Sequence, residues 1–164
     1  MADADPPGII VRAYQEADRQ KVETFRCAPY GPRWCEAAEK VIREAPGVIA
    51  SGEYNAALAV ADHKDDGVVG VVVFGIEPHR PLMIYSLGVV IPRHRQGIGT
   101  RLKQAIMAAA ATANNPPITV VVSKVHRNNY RMTRLNDKLG VGSTKDPDDG
   151  EFLMTAIRVE PEYP

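Results

Sequence analysis

Long hydrophobic runs are missing from this sequence. The longest apolar stretches, such as residues 68–76 and 118–122, are far shorter than the roughly 20 residues that a membrane-spanning helix requires. The first eight residues are acidic and polar, without the basic start and apolar core of a signal peptide. We therefore expect a soluble, cytoplasmic protein with no membrane partner, in which residues 1–8 form a flexible tail.

Cysteine is also scarce. Cys27 and Cys35 are the only two in 164 residues, and no histidine lies close to either in the sequence. They cannot complete a four-ligand zinc site locally, so we expect no metal. We interpret them as structural thiols of a reducing compartment, although two cysteines would also permit one disulfide.

Acidic residues are absent from a long central segment. The whole chain is neutral, with 20 basic and 20 acidic residues, yet residues 78–136 contain no Asp or Glu. This distribution predicts a positive region that suits a polyanionic ligand; the alternative is a set of solvated helix faces with a chance bias of sign. We expect no nucleic acid, since aromatic residues scarcely interleave with the basic ones. The basic residues of the segment are Arg80, Arg93, Arg95, Arg101, Lys103, Lys124, Arg127, Arg131 and Arg134.

Hydrophobic periodicity predicts a mixed α/β (α+β) fold. The length suits one domain, which we place at residues 9–164. Pro46-Gly47 is predicted to end the second helix. The predicted order is a strand (9–11), two helices (16–25 and 34–44), three strands (55–61, 67–76 and 82–91), a helix from residue 98, a strand (118–122), a helix (129–139) and a strand (151–159).

A glycine-rich turn stands between the third of these consecutive strands and the helix that follows. Gly97-Ile98-Gly99-Thr100 offers unpaired N–H groups and close backbone approach, which favour a phosphate; a merely tight connection is the alternative. It is not a Walker loop, because no lysine follows Gly99. It is not a dinucleotide loop either, because Leu102 stands where a third glycine or alanine is required.

Two segments together resemble GCN5-related N-acetyltransferases (GNAT). Residues 87–102, LGVVIPRHRQGIGTRL, are similar to the acetyl-CoA-binding segment of that family. Residues 128–141, NNYRMTRLNDKLGV, are similar to its second recurring segment, a helix led by Asn129 that ends in Lys-Leu-Gly. The resemblance implies a mixed, mostly antiparallel central sheet with helices on both faces. That sheet would be splayed between the strand ending near Ile91 and the strand at 118–122.

The resemblance also implies a binding site for acetyl-CoA. The pantetheine would lie in the gap of the sheet and pair with backbone groups of one strand, and backbone N–H groups of the turn would hold the pyrophosphate. Arg95 and Arg101 could add charged contacts. His94 falls at the first position of the family motif, but Arg95 fits better if the loop is one residue short. The implied cofactor residues are Leu87, Gly88, Val89, Val90, His94, Arg95, Gln96, Gly97, Ile98, Gly99, Thr100, Arg101 and Asn129.

Amine acetylation requires a donor for the thioester oxygen, an acid for the departing thiolate and a base for the amine. By resemblance, the donor is a backbone N–H near Leu87 or Gly88. The family's usual acid is a tyrosine, and Asn136 occupies its position here. Asn136 could instead hydrogen-bond the sulfur or a water, and the open alternatives are solvent, Ser86 and Tyr85. Tyr130 is a poorer candidate, at the start of the helix.

The base and the acceptor site rest on weaker signals. Glu77 and His79, which precede the central strand, are the candidate bases through a water, although each could equally be a solvated side chain. Tyr30 and Trp34 lie in the region that shapes the acceptor site in this family and could form its walls. They could also be packing residues.

The resemblance predicts an acetyl-CoA-dependent N-acetyltransferase. The acceptor would be a primary amine of a small molecule, an aminoacyl group or a protein, attacking the thioester directly. The alternative is a non-catalytic acyl-CoA-binding regulatory module, which the missing tyrosine favours. The sequence leaves homodimer formation open.

Overall fold

The computed structural model describes residues 7–27, 33–52, 55–75, 81–113 and 118–160. Its four α-helices are α1 (Arg19–Glu23), α2 (Arg33–Ser51), α3 (Ile98–Thr112) and α4 (Tyr130–Lys138). Short 3₁₀ turns occupy Glu16–Asp18 and Ile91–Arg93. The strands are β1 (Ile9–Ala13), β2 (Ala56–His63), β3 (Gly67–Gly75), β4 (Leu82–Val89), β5 (Val120–His126), β6 (Gly142–Lys145) and β7 (Phe152–Arg158).

The seven strands follow the order β1-β2-β3-β4-β5-β7-β6 and are mostly antiparallel. This confirms the predicted mixed α/β fold class. The chain divides into a first unit, Met1–Gly75 with Tyr85–Ala105, and a second unit, Ile76–Ile84 with Ile106–Pro164. The single domain at 9–164 and the tail at 1–8 stay predictions.

The predicted hairpin forms the centre of the first unit. β2 pairs with β3 in antiparallel register from Ala56↔Gly75 to His63↔Gly67, and β1 pairs with the outer edge of β2. One face of these strands packs against α1 and α2 through a cluster of apolar side chains. Burial of such side chains is the main stabilising contribution here. The cluster contains Val22, Phe25, Ile42, Ala45, Leu58, Val60, Val68, Val71 and Val73.

α2 is longer than its sequence pattern indicated. We expected Pro46-Gly47 to end it, but the helix continues through both residues to Ser51. Pro46 removes one backbone donor from the helix and should therefore break it. Burial of Ile42, Ala45 and Pro46 against the first unit's core favours continuation, so tertiary packing outweighs local preference at this point.

α3 packs on the sheet at a glycine. A Cβ at Gly70 would lie 2.9 Å from Leu102 Cδ1 and 3.1 Å from Ile98 Cγ2, so the missing side chain lets the start of α3 approach β3 closely. Ile98 and Leu102 are fully buried there. This contact fixes the direction in which the helix leaves the glycine-rich turn.

In the second unit, β5 pairs in parallel with β4 and antiparallel with β7. Its pairing with β4 joins Leu82, Met83 and Ile84 to residues 121–123. β4 continues to Val89 beyond Ile84, the last of its residues that pairs with β5.

β5 is longer than its sequence pattern predicted, and β6 was not predicted at all, because both strands contain polar residues. β5 begins at Val120 rather than Ile118 and ends at His126 rather than Val122. The strand continues past Val122 because the side chain of Ser123 is buried and hydrogen-bonded to Thr155. β6, with the sequence Gly-Ser-Thr-Lys, is exposed at every position and was not predicted. It has no apolar alternation that could have indicated a strand.

None of the helices in the described ranges is both long enough and apolar enough to cross a lipid bilayer.

Candidate functional site

The turn between β4 and α3 belongs to the first unit and is anchored by backbone hydrogen bonds at both ends. Val90 N–H donates to the Val69 carbonyl at 2.9 Å, which ties the end of β4 to β3. Arg93 N–H then donates to the Val90 carbonyl at 2.9 Å, and His94 N–H to the Ile91 carbonyl at 3.1 Å. A short 3₁₀ turn therefore leads the chain away from the strand.

Two residues of this turn have left-handed backbone conformations. Gly97 has φ 77° and Arg95 has φ 64°. A Cβ on Gly97 would meet no atom within 4 Å, so backbone conformation rather than crowding calls for glycine there. Successive changes of backbone hand in a turn direct N–H groups into an anion-binding concavity.

The first turn of α3 supplies backbone donors. Arg101 N–H donates to the Gly97 carbonyl at 3.0 Å, the first hydrogen bond of the helix. The N–H groups of Ile98, Gly99 and Thr100 precede it and have no carbonyl within the helix to bind. Because the helix dipole adds partial positive charge at the same end, the geometry suits a phosphate group.

Two side chains of the turn that were expected to contact the cofactor, His94 and Arg101, instead contact backbone carbonyl groups. His94 Nε2 lies 2.6 Å from the Val89 carbonyl oxygen, at the end of β4. Arg101, expected to contact phosphate, donates from Nη1 to the Ile9 carbonyl of β1 at 3.2 Å. Arg95 and Gln96 are exposed at the top of the turn. The backbone of the turn therefore has a stronger geometric case for binding an anion than His94 or Arg101 has.

Alternating residues of β4 face opposite sides of the sheet. Ser86 and Gly88 face α2: Ser86 Oγ donates to the Ala38 carbonyl at 2.8 Å, and a Cβ on Gly88 would lie 2.9 Å from Ile42 Cδ1. The Ser86 hydroxyl proton is thus used in a hydrogen bond, and the Ser86 side chain is buried. This arrangement favours a structural role for Ser86 over the acid role considered from sequence.

Tyr85 and Leu87 project from the other face of β4. Tyr85 is 52% exposed. Its ring lies over Gly75, where a Cβ would come within 2.6 Å of Tyr85 Oη. Gly75 therefore provides the space in which the phenol ring lies.

The second unit holds the two asparagines of the family-like helix. Asn129 caps α4, its Oδ1 accepting from Met132 N–H at 3.1 Å. Asn136 is 4% exposed and lines a small cavity with Thr133, Val141 and Thr155. The side chain at the position of the usual acid is therefore directed into the second unit's interior, whereas Tyr130 is largely exposed.

Part of the predicted acceptor and base machinery lies outside the described residues, namely Tyr30, Glu77 and His79. Trp34 is half-buried in the first turn of α2. Cys27 and Cys35 are not joined by a disulfide, and burial raises the pKa of the Cys27 thiol to about 11. Across the described segments, no group of three or more His, Cys, Asp or Glu side chains is arranged to hold a metal ion.

Two acidic residues that the sequence did not place in the site have partners that are distant in the sequence. Glu39 is buried in α2 and accepts from Cys27 N–H at 2.9 Å, with Arg43 at 3.1 Å. Asp66, in the β2–β3 turn, accepts from Arg93 at the start of the glycine-rich turn. Only the Asp66-Gly67 pair was visible in the sequence, as a hairpin signal without indication of its partner.

Comparison with known proteins identifies the family. The family model described as an acetyltransferase (GNAT) domain matches residues 2–141. No curated protein matches the sequence significantly. The resemblance noted from the two motif segments is thus confirmed.

Solved structures share the fold at low sequence identity. The PaiA N-acetyltransferase of Thermoplasma acidophilum, in complex with coenzyme A, has a TM-score of 0.68 at 15% identity, covering 92% of this chain and 98% of that one. The ribosomal-protein-S18-alanine N-acetyltransferase of Escherichia coli has a TM-score of 0.65 at 12% identity, with coverages of 94% and 96%. Arabidopsis thaliana NAA60, in complex with acetyl-CoA, has a TM-score of 0.63 at 14% identity, with coverages of 92% and 98%. Since the family model spans most of the sequence, the chain belongs to the GNAT acetyltransferase family and is an N-acetyltransferase.

Proposed function

We propose that this protein transfers the acetyl group of acetyl-CoA to a primary amine, with the turn at residues 94–100 binding the pyrophosphate. The observation that carries this proposal is the left-handed Gly97 immediately before α3, within the family match. The amine of a small molecule, an aminoacyl group or a protein would attack the thioester carbon directly. The carbon–sulfur bond would break, and the thiolate would take up a proton.

The residues of the turn fit a pyrophosphate. Three N–H groups at the start of α3 lack acceptors within the helix, and the space beside Gly97 Cα is open. Arg95 is exposed beside them and could add a charged contact. At the end of β4, the Val90 N–H and the Val89 carbonyl already have partners. We assign the backbone groups of Leu87 and Gly88, which the family resemblance places near the thioester, to hydrogen-bond the pantetheine and polarise the thioester.

Tyr85 is the group that we assign to protonate the thiolate. Among the candidates in the described residues, the Ser86 hydroxyl donates to Ala38 and Asn136 is buried within the second unit. Tyr85, by contrast, is 52% exposed. Glu77, which precedes β4 in the sequence, remains our candidate for the base acting through water, and Trp34 for a wall of the acceptor site.

Calorimetry with CoA, followed by thiol release with a panel of amines, tests the proposal. The panel contains small primary amines, an aminoacyl ester and peptides with a free N-terminus, because one structural neighbour is named for acetylating a ribosomal-protein alanine. We expect CoA binding and turnover on at least one amine class. Absence of CoA binding, or binding without turnover on any of the classes, would contradict the proposal.

Replacement of single tyrosines tests the acid. Tyr85→Phe should lower kcat at least about tenfold, since general acids typically contribute a factor of 10² to 10⁴, and should leave the KM for acetyl-CoA nearly unchanged. Tyr130→Phe is the matched control, because Tyr130 is also an exposed tyrosine. Loss of kcat in Tyr130→Phe with full activity in Tyr85→Phe would overturn the assignment.

A further inference from the structure

The β2–β3 turn is built to present one carboxylate. His63 is buried, and its Nδ1 accepts from the backbone N–H groups of Asp65 and Asp66 at 3.2 Å and 3.3 Å. Gly67 closes the turn with φ 73° and pairs with His63 in the β ladder. The hydrogen bond to the His63 imidazole therefore fixes the backbone of Asp66, which limits the directions that the Asp66 side chain can take.

The Asp66 carboxylate binds a residue that is distant in sequence. Its Oδ2 accepts from Arg93 Nε at 3.0 Å and also from Arg93 Nη2. Arg93 closes the 3₁₀ turn that follows β4. The hydrogen bond from Arg93 holds the pKa of Asp66 below its ordinary value, so the carboxylate is charged at neutral pH. Asp66 is 48% exposed and Arg93 27% exposed.

Arg93 extends this contact into the glycine-rich turn. Its Nη1 lies 3.5 Å from Gln96 Oε1, at the outer limit of a hydrogen bond. Gln96 stands between the two left-handed residues, Arg95 and Gly97. A positive φ is unfavourable for a residue with a Cβ, so Arg95 needs support from its surroundings. The backbone bonds described above hold the ends of the turn, whereas the chain Asp66–Arg93–Gln96 reaches its middle.

We propose that Asp66 is a positioning residue for the pyrophosphate-binding turn. Through Arg93 and Gln96, it holds the backbone N–H groups of the turn in their anion-binding arrangement before the donor arrives. This inference rests on the proposed function. A preorganised turn loses less conformational freedom on binding, which raises affinity without any direct contact between Asp66 and the ligand.

The opposite effect would follow if Asp66 merely withheld Arg93 from the phosphates. Removal of the carboxylate would then free a guanidinium for charge-assisted contacts with the pyrophosphate, and CoA would bind more tightly. The sign of the change in affinity therefore separates a positioning role from a competing one.

The test compares Asp66→Asn with Asp65→Asn, a matched control that removes the neighbouring carboxylate of the same turn. Calorimetry with CoA should show Asp66→Asn binding about three- to tenfold more weakly, since a partly exposed ion pair contributes modestly. Asp65→Asn should match the wild type, and Asp66→Glu should recover part of the loss. With S-acetyl-pantetheine as donor, which lacks the pyrophosphate, the KM of Asp66→Asn should equal that of the wild type.

Amide hydrogen exchange of the ligand-free protein gives a second readout. Residues 94–100 should exchange faster in Asp66→Asn than in Asp65→Asn, while β3 and the rest of α3 stay unchanged. A wild type that does not bind CoA would overturn the proposed function and this inference together. A wild type that binds CoA, with equal or tighter binding by Asp66→Asn, would overturn only the positioning role. If Asp66→Asn destabilised the protein in general, its activity with acetyl-CoA and with S-acetyl-pantetheine would fall to the same extent. That result would also contradict the positioning role of Asp66.

Discussion

Glycines of this protein are required for two different reasons, and single-residue changes can separate them. At Gly97 the backbone has a left-handed φ with open space around it, whereas at Gly88 a side chain would collide with neighbours. The hypothetical Cβ of Gly88 lies 2.9 Å from Ile42 Cδ1 and 3.0 Å from Cys27 Sγ. The first glycine serves the shape of the turn, and the second serves the packing of β4 on α2.

Gly97→Ala should therefore affect ligand binding more than stability. Forcing alanine into a left-handed conformation costs about 1 kcal/mol, which the turn can relieve by changing its backbone. We expect CoA affinity to fall by tenfold or more, with a decrease of about 1 kcal/mol in the free energy of unfolding. Calorimetry and urea denaturation measure the two effects, and unchanged CoA affinity would show that the N–H groups of the turn do not bind the pyrophosphate.

Gly88→Ala should lower the free energy of unfolding, because the added methyl group collides with neighbouring side chains. Overpacking of a filled core costs roughly 1–3 kcal/mol, so the urea midpoint should fall clearly. Gly142→Ala is the control, because a Cβ there meets no atom within 4 Å. Its unfolding free energy should stay within about 0.5 kcal/mol of the wild type. Equal stability of the two variants would contradict the close contact of Gly88 with α2.

Asp18 should make stability depend on pH through its pairing with Arg12. Both oxygens of this buried carboxylate accept from Arg12 at 2.8 Å, and this pairing lowers the pKa of Asp18. A lowered folded-state pKa gives stability that is present above the ordinary carboxyl pKa and is lost as pH falls through the lower value. The pair joins β1 to the 3₁₀ turn before α1.

Asp18→Asn should accordingly reduce the free energy of unfolding by about 2 kcal/mol at pH 7. The difference from wild type should begin to shrink below about pH 4, where the carboxyl of the unfolded chain takes up a proton, and should be lost only as the pH falls below the lowered pKa of Asp18 in the folded protein. Urea denaturation at several pH values measures this, with Asp62→Asn as control, since Asp62 shares Arg12 but is more exposed. A pH-independent difference would show that charge does not cause the loss.

At the scale of elements, α2 is the place where local sequence preference and tertiary packing disagree most. Pro46 and Gly47 both disfavour a helix, yet α2 passes through them. Pro46 is buried, whereas Gly47 is exposed and a Cβ there would meet no atom within 4 Å. Only the glycine can therefore be replaced without disturbing a contact.

Gly47→Ala should stabilise the protein by about 0.5–1 kcal/mol, the difference in helix preference between the two residues. The melting temperature and the urea midpoint should both rise, with CoA affinity unchanged. A decrease in stability would show that the second half of α2 is not helical in solution.

Elements with a strong apolar pattern were predictable, and polar ones were not. The hairpin of β2 and β3, α3 from Ile98 and the capped α4 follow from periodicity, an Asp-Gly turn and an N-terminal asparagine. β6 could not be predicted, because pairing with β7 rather than burial stabilises it. The cofactor turn was visible through its glycines. The contact of Asp66 with Arg93 was not, since residues 27 apart meet only once the strands are paired.

For the whole molecule, charge is balanced in total but segregated along the sequence. Nine basic residues and no acidic ones occupy residues 78–136, against 11 basic and 20 acidic residues elsewhere. A polyanionic donor should therefore be attracted to the turn, and salt should weaken that attraction by screening.

CoA should stabilise the folded protein against heat in a salt-dependent manner. At a concentration 100 times its Kd, a ligand adds about 2.7 kcal/mol to the free energy of unfolding, which corresponds to a rise of roughly 5–10 °C in Tm for a chain of this size. Raising NaCl from 0.1 M to 0.5 M should reduce the shift produced by the same CoA concentration. A shift that is insensitive to salt would indicate binding through apolar contacts alone.

The position of β7 has a consequence for how the protein is made in the cell. β7 is among the last residues described, yet it lies between β5 and β6 in the strand order. During translation, the edge of β5 that pairs with β7 therefore stays unpaired until residues 152–158 have been synthesised. During that interval the nascent chain displays a bare strand to which other polypeptides can attach. This half of the sheet can close only after residues 152–158 have left the ribosome.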